Sequence, residues 1–72
     1  MDVTIEPDSI KKANGLWTPA ANVYIYHNKT TYDDRYYWIN KEVQGKEEAN
    51  FIAKFLAKRY LIKEKLLEPK SN

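Results

Sequence analysis

The stretch from Val23 to Asn40 constrains the fold most, because it predicts two aromatic β-strands joined by a polar turn. Six of the ten aromatic residues lie in it: Tyr24, Tyr26, Tyr32, Tyr36, Tyr37 and Trp38. Residues 29–34 predict a turn longer than the tight two-residue type, and Asp33 and Asp34 are expected to shape it by bonding to nearby backbone amides. The chain is therefore predicted to be organised around an antiparallel hairpin.

Both sides of this hairpin carry apolar or aromatic residues, because side chains alternate along a strand. The first strand places Val23, Ile25 and His27 on one side and Tyr24 and Tyr26 on the other. The second strand places Arg35, Tyr37 and Ile39 opposite Tyr36 and Trp38. The long turn leaves the pairing register open, and a slip of one residue would exchange the buried and exposed rings.

The residues before the hairpin predict two short elements. Val3 and Ile5 alternate with polar residues, which is typical of a short strand that Pro7 ends and that can join the hairpin as a third partner. Residues 10–13 predict a brief helical turn that stops at Gly15. The lead-in is thus expected to contribute one strand and one small helix.

A long helix is predicted after the hairpin, with Glu47 and Glu48 in its first turn and its end before Pro69. Its apolar residues recur at spacings of three, four and seven. The face expected to pack on the sheet comprises Ile52, Phe55, Leu56, Ile62 and Leu66, with Ala49 and Arg59 on the same side. The expected fold is α+β, a small antiparallel sheet of two to three strands with the aromatic hairpin 23–40 packed against one long C-terminal helix.

The helix is more apolar than such a small sheet requires. Phe51, Tyr60, Leu61 and Leu67 widen the apolar stripe beyond what a two-layer domain of this size can cover. Two explanations stay open: a kink near Tyr60, or a partner for the last two turns. A homodimer through the C-terminal helix would be one such partner.

The length and composition set broad limits. Seventy-two residues are expected to form a single domain, 1–72, with a frayed tail from about residue 68. Twelve Lys and Arg against ten Asp and Glu give a formal charge of +2, which creates no strong global field. The absence of cysteine excludes disulfides and thiolate metal sites. The start of the chain lacks the pattern of a signal peptide and no stretch is long enough to span a membrane, so a cytoplasmic location is expected.

Catalytic chemistry has few candidate residues in this sequence. His27 is the only histidine, and with Asp33 and Asp34 it could form a metal or general-base cluster. A lone histidine near the end of a strand is more often a cross-strand packing residue. No serine has a histidine placed beside it in a known motif, and neither glycine belongs to a phosphate-binding loop. The chain is predicted not to be an enzyme and to need no metal or cofactor.

Binding is the function that the sequence favours. Exposed rings on a sheet, flanked by cations, can stack on bases, although aromatic pairs can also simply stabilise a small sheet. The residues predicted to bind are Lys29, Arg35, Tyr36, Tyr37, Trp38 and Lys41. The leading interpretation is nucleic-acid binding, most of all DNA, by the aromatic and basic hairpin. The alternative is a small accessory or inhibitor protein, of the kind that phages and mobile elements encode, which binds a partner protein through the hairpin and the helix.

The order of hairpin and helix also resembles a known arrangement. A hairpin followed by the helix start Gly45-Lys46-Glu47-Glu48-Ala49 resembles the end of an AP2-like or integrase amino-terminal DNA-binding domain. The resemblance extends from Val23 to about Tyr60, and it implies that Lys29, Arg35, Tyr37 and Lys41 face the DNA groove. The third strand that those domains carry next to the helix is not evident in residues 41–44, so the resemblance does not assign the chain to that family.

Overall fold

The computed structural model describes residues 2–67 and confirms the α+β class. A three-stranded antiparallel sheet and a separate two-stranded sheet accompany one C-terminal helix. The elements are β1 (Asp2–Pro7), β2 (Ile10–Lys11), β3 (Trp17–Thr18), β4 (Ala20–Tyr26), β5 (Tyr32–Trp38) and α1 (Lys46–Lys63). The predicted tail from residue 68 lies outside the described residues.

The central strand of the larger sheet is β4, with β1 on one side and β5 on the other. Both neighbours run antiparallel to it. Tyr26 pairs with Tyr32 at the hairpin end, and Val3 pairs with Ile25. The expectation that the amino-terminal strand joins the hairpin as a third partner is therefore confirmed.

The short helix predicted at residues 10–13 is wrong, because this segment forms one strand of a small hairpin. Ile10 pairs with Thr18 across the two-stranded sheet. The turn between the strands includes Gly15, whose φ of +87° suits a residue without a Cβ. A few residues followed by such a turn cannot offset the cost of nucleating a helix, whereas pairing with β3 satisfies their backbone groups.

The hairpin turn is also built differently from the prediction. Asn28 shapes it: its Oδ1 accepts hydrogen bonds from the backbone N–H groups of Thr30 and Thr31, each at 2.8 Å. Asp33 and Asp34 do not form the turn, because both are paired residues of β5. The strands extend further toward the turn than the sequence suggested, which leaves only residues 27–31 between them.

The helix buries a different face from the one predicted. Its fully buried positions recur every four residues and are Ala49, Ala53, Ala57 and Leu61. Of the residues predicted to pack on the sheet, Phe55 is exposed and Ile52, Leu56 and Ile62 are only half-buried. The alanines let the helix axis approach the sheet closely, because they fill little of the space between the two layers. The larger apolar residues are consequently displaced to the flanks and the outer side.

The core lies between the helix and one face of the sheet. Its members come from β4 and α1 and are Ala21, Val23, Ile25, Ala53, Ala57 and Leu61. Val3 and Ile5 of β1 and Tyr37 of β5 pack against this cluster. The helix is continuous from Lys46 to Lys63, so it is not interrupted at Tyr60, near which a kink was considered.

The helix ends in a Schellman-type turn. Leu66 N–H donates to the carbonyl of Leu61 at 2.8 Å, and Lys65 N–H donates to the carbonyl of Ile62 at 3.0 Å. Lys65 adopts a φ of +64°, the left-handed conformation that this motif requires. Leu66 then folds back against the core cluster, so this turn fixes the end of the helix on the sheet.

Candidate binding surface

The face of the larger sheet that points away from the helix carries five aromatic rings. Alternation along β4 turns Val23 and Ile25 toward the helix and Tyr24 and Tyr26 away from it. The register of β5 adds three more rings to the same side. This open face comprises Tyr24, Tyr26, Tyr32, Tyr36 and Trp38. Its most exposed ring is Trp38, at 59%.

The tyrosines near the hairpin turn contact one another. Tyr32 meets Tyr24 edge to face with ring centroids 6.1 Å apart, and it meets Tyr26 in a tilted arrangement at 5.4 Å. Such pairs each stabilise a sheet by about 0.5–1.5 kcal/mol beyond the area that they bury. These contacts pack the three tyrosines at the turn end of the open face against one another.

Carboxylates surround these rings. Strand alternation places Asp2, Glu6 and Asp34 on the open face, and none of the positions on this face within residues 2–67 is a lysine or arginine. The pKa of Tyr24 is raised, first by desolvation and then by the negative charges of Glu6 and Asp34. The charged strand positions of the open face are therefore all negative, although the whole chain has a formal charge of +2 and Lys29 of the turn lies beside Asp2 and Tyr26.

Arg35 lies on the opposite face and is already engaged there. Its Nη1 donates to a carboxylate oxygen of Glu64 and, at 3.2 Å, to the hydroxyl of Tyr37. The Tyr37 hydroxyl donates to the other oxygen of Glu64 at 3.2 Å. These hydrogen bonds, with Tyr37 first and Glu64 second, raise the pKa of Arg35, and the bond from Arg35 is the main reason that the pKa of Glu64 is lowered.

Tyr37 is part of this same contact between sheet and helix. Its ring stacks on that of Tyr60 with centroids 5.3 Å apart and planes 13° apart. Together with Arg35 and Glu64, these residues form a clasp that holds the last turns of the helix on β5. We refer to Arg35, Tyr37, Tyr60 and Glu64 as the clasp.

The residues predicted to bind are thus divided among several places. Tyr36 and Trp38 lie together on the open face, whereas Arg35 and Tyr37 belong to the clasp. Lys29 is in the hairpin turn, where it lines a shallow pocket with Asp2 and Tyr26 at the end of the open face, and Lys41 is in the loop after β5. The prediction left out Tyr32 and Asp34, although both share the period-two alternation of Tyr36 and Trp38.

The residues considered for metal or acid–base chemistry are separated by the strand pleat. His27 Nε2 lies 2.7 Å from Asp33 Oδ2 at the hairpin end. Asp34 projects to the other side of the sheet, beside Tyr24, so the predicted cluster of three does not form. Within residues 2–67, no group of three or more metal-binding side chains is close enough to hold an ion.

Comparison with protein-family models, with curated proteins and with solved structures finds no match to this chain. The strand expected beside the helix from the AP2-like arrangement is not formed, because residues 39–45 contain only the isolated bridge between Trp17 and Val43. The described part of the chain has no helix with the length and apolar character needed to span a membrane.

Proposed function

We propose that this protein is a non-catalytic binding module that binds a partner protein through the open face. The observation that carries the proposal is the set of five rings on one side of the sheet, with carboxylates but no lysine or arginine at the strand positions of that side. The partner is expected to offer an apolar surface rimmed by lysine or arginine. Of the two interpretations of the sequence, this arrangement favours the protein partner over nucleic acid.

The chemistry of the rings supports a protein partner. Tyrosine and tryptophan contribute most of the binding energy at many protein interfaces, because they bury a large apolar area and keep a polar group for hydrogen bonding. Trp38 and Tyr36 are neighbours on β5 and are both exposed. They are therefore the expected anchors of the interface.

The charges support the same choice. A phosphate backbone approaching the open face would be repelled by Asp2, Glu6 and Asp34. The strand positions of this face also have no lysine or arginine that could neutralise phosphates and so release their counterions. Basic residues of a protein partner would instead be attracted and oriented by these carboxylates. Of the cations predicted to bind nucleic acid, only Lys29 and Lys41 stay available, since Arg35 belongs to the clasp.

The remaining expectations from the sequence stay predictions. They are a cytoplasmic location, the absence of catalytic activity and the role of an accessory or inhibitor protein of a phage or mobile element. A homodimer would use the helix, on the other side of the molecule, and it is compatible with a partner on the open face.

The decisive experiment uses a Tyr36→Ala/Trp38→Ala double variant. Immobilised wild-type protein captures candidate partners from lysate at moderate salt, and the affinity of each purified candidate is then measured by calorimetry. The double variant is expected to lose at least about 100-fold in affinity, because two anchor residues are removed. It should keep a cooperative thermal transition, since both side chains are exposed. Phe51→Ala, on the far side of the molecule, is the matched control and should bind normally.

An oligonucleotide titration tests the competing interpretation. Labelled protein is mixed with a duplex and with a single strand at low and moderate salt, and NMR shifts are followed for Tyr36 and Trp38. We expect no shifts on the open face. Salt-sensitive shifts there, weakened in a Lys29→Ala/Lys41→Ala variant, would contradict the proposal and support nucleic-acid binding. Loss of folding in the Tyr36→Ala/Trp38→Ala variant would instead show that the rings only stabilise the sheet.

A further inference from the structure

The outer side of the helix carries a second exposed apolar surface. Phe51 and Phe55 point away from the sheet and are 73% and 54% exposed, and Ile62 lies on the same side two turns later. We call Phe51, Phe55 and Ile62 the helix stripe. Phenylalanine has no polar atom to keep in water, so two exposed rings one turn apart indicate a surface that another molecule covers.

The charges beside the helix stripe have both signs, in a regular order along the helix. Glu47 and Glu48 are in the first turn, and Lys58 and Arg59 follow eleven residues later. Eleven residues make about three turns of helix, so Glu47 lies on the same flank of the stripe as Lys58, and Glu48 on the same flank as Arg59. The flank of Glu48 is therefore acidic at one end and basic at the other, and the flank of Glu47 is acidic at one end and basic from Lys54 to Lys58.

This order is complementary to itself when the helix is reversed. If two helices lie antiparallel with a two-fold axis midway between Phe51 and Phe55, Phe51 of one copy meets Phe55 of the other. The same axis brings Glu47 opposite Lys58 of the second copy, and Glu48 opposite Arg59 of the second copy. A parallel pair would place like charges opposite each other, which disfavours that orientation.

Arg59 is already positioned for such a contact. Its guanidinium carbon lies 5.9 Å from the centre of the Phe55 ring in the same chain. Lys54 and Lys58 line a shallow groove with the two phenylalanines. In the antiparallel pair, Arg59 would lie between its own Phe55 and Glu48 of the second copy, so it would combine a cation–π contact with an ion pair.

We propose that two copies of this chain form an antiparallel dimer through the helix stripe, with four phenylalanine rings at its centre and Glu47–Lys58 and Glu48–Arg59 pairs on its flanks. The interface is a single helix pair, which is smaller than a standard protein interface, and a dissociation constant on the order of 10–100 µM is expected. The open faces lie on the outer sides of this dimer, so its formation does not depend on what they bind.

The stoichiometry is tested by sedimentation velocity of the full chain over a range of concentrations around that value. Wild-type protein should show a monomer–dimer equilibrium, and a Phe51→Ala/Phe55→Ala variant should dimerise at least about tenfold more weakly, because the centre of the interface is lost. Tyr36→Ala/Trp38→Ala is the matched control, with two rings removed from the open face, and should dimerise like the wild type.

The orientation is tested by cysteine cross-linking, since the chain contains no cysteine of its own. A Glu47→Cys copy mixed with a Lys58→Cys copy should give mainly the mixed disulfide under mild oxidation. A charge exchange within one chain, Glu47→Lys/Glu48→Lys/Lys58→Glu/Arg59→Glu, should restore the dimer that either half of the exchange weakens.

Three results would overturn the proposal. One is a wild-type chain that stays monomeric throughout the concentration range. Another is a cross-linking reaction in which each single-cysteine copy pairs mainly with itself, which a parallel pair would give. The third is loss of association in the Tyr36→Ala/Trp38→Ala variant, or growth beyond a dimer, either of which would indicate packing of one copy's helix on the sheet of the next.

Discussion

The two exposed aromatic surfaces lie on opposite sides of the same small core and differ in both ring chemistry and charge. The open face has tyrosines and one tryptophan, and its charged strand positions are all carboxylates. The helix stripe has phenylalanine and isoleucine, with charges of both signs beside it. A surface of one sign repels its own copy, so the partner that we propose for the open face is a different molecule. A surface with ordered charges of both signs can match its own copy, so the helix stripe fits a dimer.

The most destabilising substitution that we predict lies on the buried side of the helix, and a substitution on the exposed side is expected to have little effect. Leu61→Ala should lower the free energy of unfolding by about 2–4 kcal/mol, because Leu61 is fully buried in the core. Phe51→Ala should change it by no more than about 0.5 kcal/mol in dilute solution, where the ring is exposed. Urea unfolding measures both. At high protein concentration only the wild type and the Leu61 variant should gain stability, since the proposed dimer has Phe51 at its centre.

A large loss of stability for Phe51→Ala in dilute solution would contradict this difference between the two sides of the helix, because it would make the helix stripe part of the monomer's core. A Leu61→Ala variant that unfolds like the wild type would show instead that the helix does not pack on the sheet through its alanine side.

The second effect concerns the turn that fixes the end of the helix relative to the sheet. Lys65→Gly should raise the free energy of unfolding by about 0.5–1 kcal/mol, because glycine adopts the left-handed conformation of this residue without a Cβ clash. Lys63→Gly, two residues earlier and within the helix, is the matched control and should lower it by a similar amount. Thermal unfolding of both variants checks the prediction, and a loss in both would argue against the observed turn.

The third effect is the pH dependence of the clasp, which fixes the helix on β5 between the two surfaces. The pKa of Glu64 is lowered in the folded chain, so its contribution to stability is present above its ordinary value of 4.5 and is lost as the pH falls through the folded value. Glu64→Gln should therefore lower the melting temperature at pH 7, and the difference from the wild type should shrink as the solution is acidified below that ordinary value.

Arg35 supplies the control for this experiment. In an Arg35→Ala background, Glu64→Gln should have little further effect at any pH, because the main cause of the lowered pKa is already absent. A difference that persists unchanged into acid would show that the clasp does not act through the charge of Glu64.

The smallest effect tests the negative potential of the open face without changing stability. Asp34→Asn should lower the pKa of Tyr24 relative to the wild type, because one of the charges that raise it is removed, while desolvation keeps it above the ordinary value of 10.0. Asp33→Asn, one residue earlier, is the control, since Asp33 projects to the other side of the sheet beside His27. An NMR titration of the Tyr24 ring measures both variants, and equal shifts would contradict the assignment of faces.

Much of the fold could be predicted from local patterns. Alternation in Val3 to Ile5 and in the hairpin predicted the strands of the larger sheet, and the long helix followed from its apolar spacing and its acidic first turn. The segment at residues 10–13 was misassigned because a short run of residues carries too little periodicity to separate a helix from a strand. Its pairing with β3 depends on residues that come after a turn.

The candidate site was predicted only in part. The rings of Tyr36 and Trp38 could be placed on one side of a strand, but the sequence could not show which side the helix covers. Because the helix covers the side of the sheet that carries Arg35, this residue belongs to the clasp, and the exposed rings on the other side have carboxylates beside them. The basic charge of the whole chain therefore gave a misleading indication of the charge of this surface.

The sequence by itself determined the class of fold, the aromatic hairpin and the lack of any cross-link by cysteine, because these follow from composition and from the periods of strand and helix. The tertiary structure alone decided the register, the buried side of the helix and the partners of Arg35. The physical reason is that the packing of the helix on the sheet depends on the side chains of both elements together, and these come from distant parts of the sequence. Only alanines at every fourth position let the helix approach β4, and that approach leaves Phe51 and Phe55 outside.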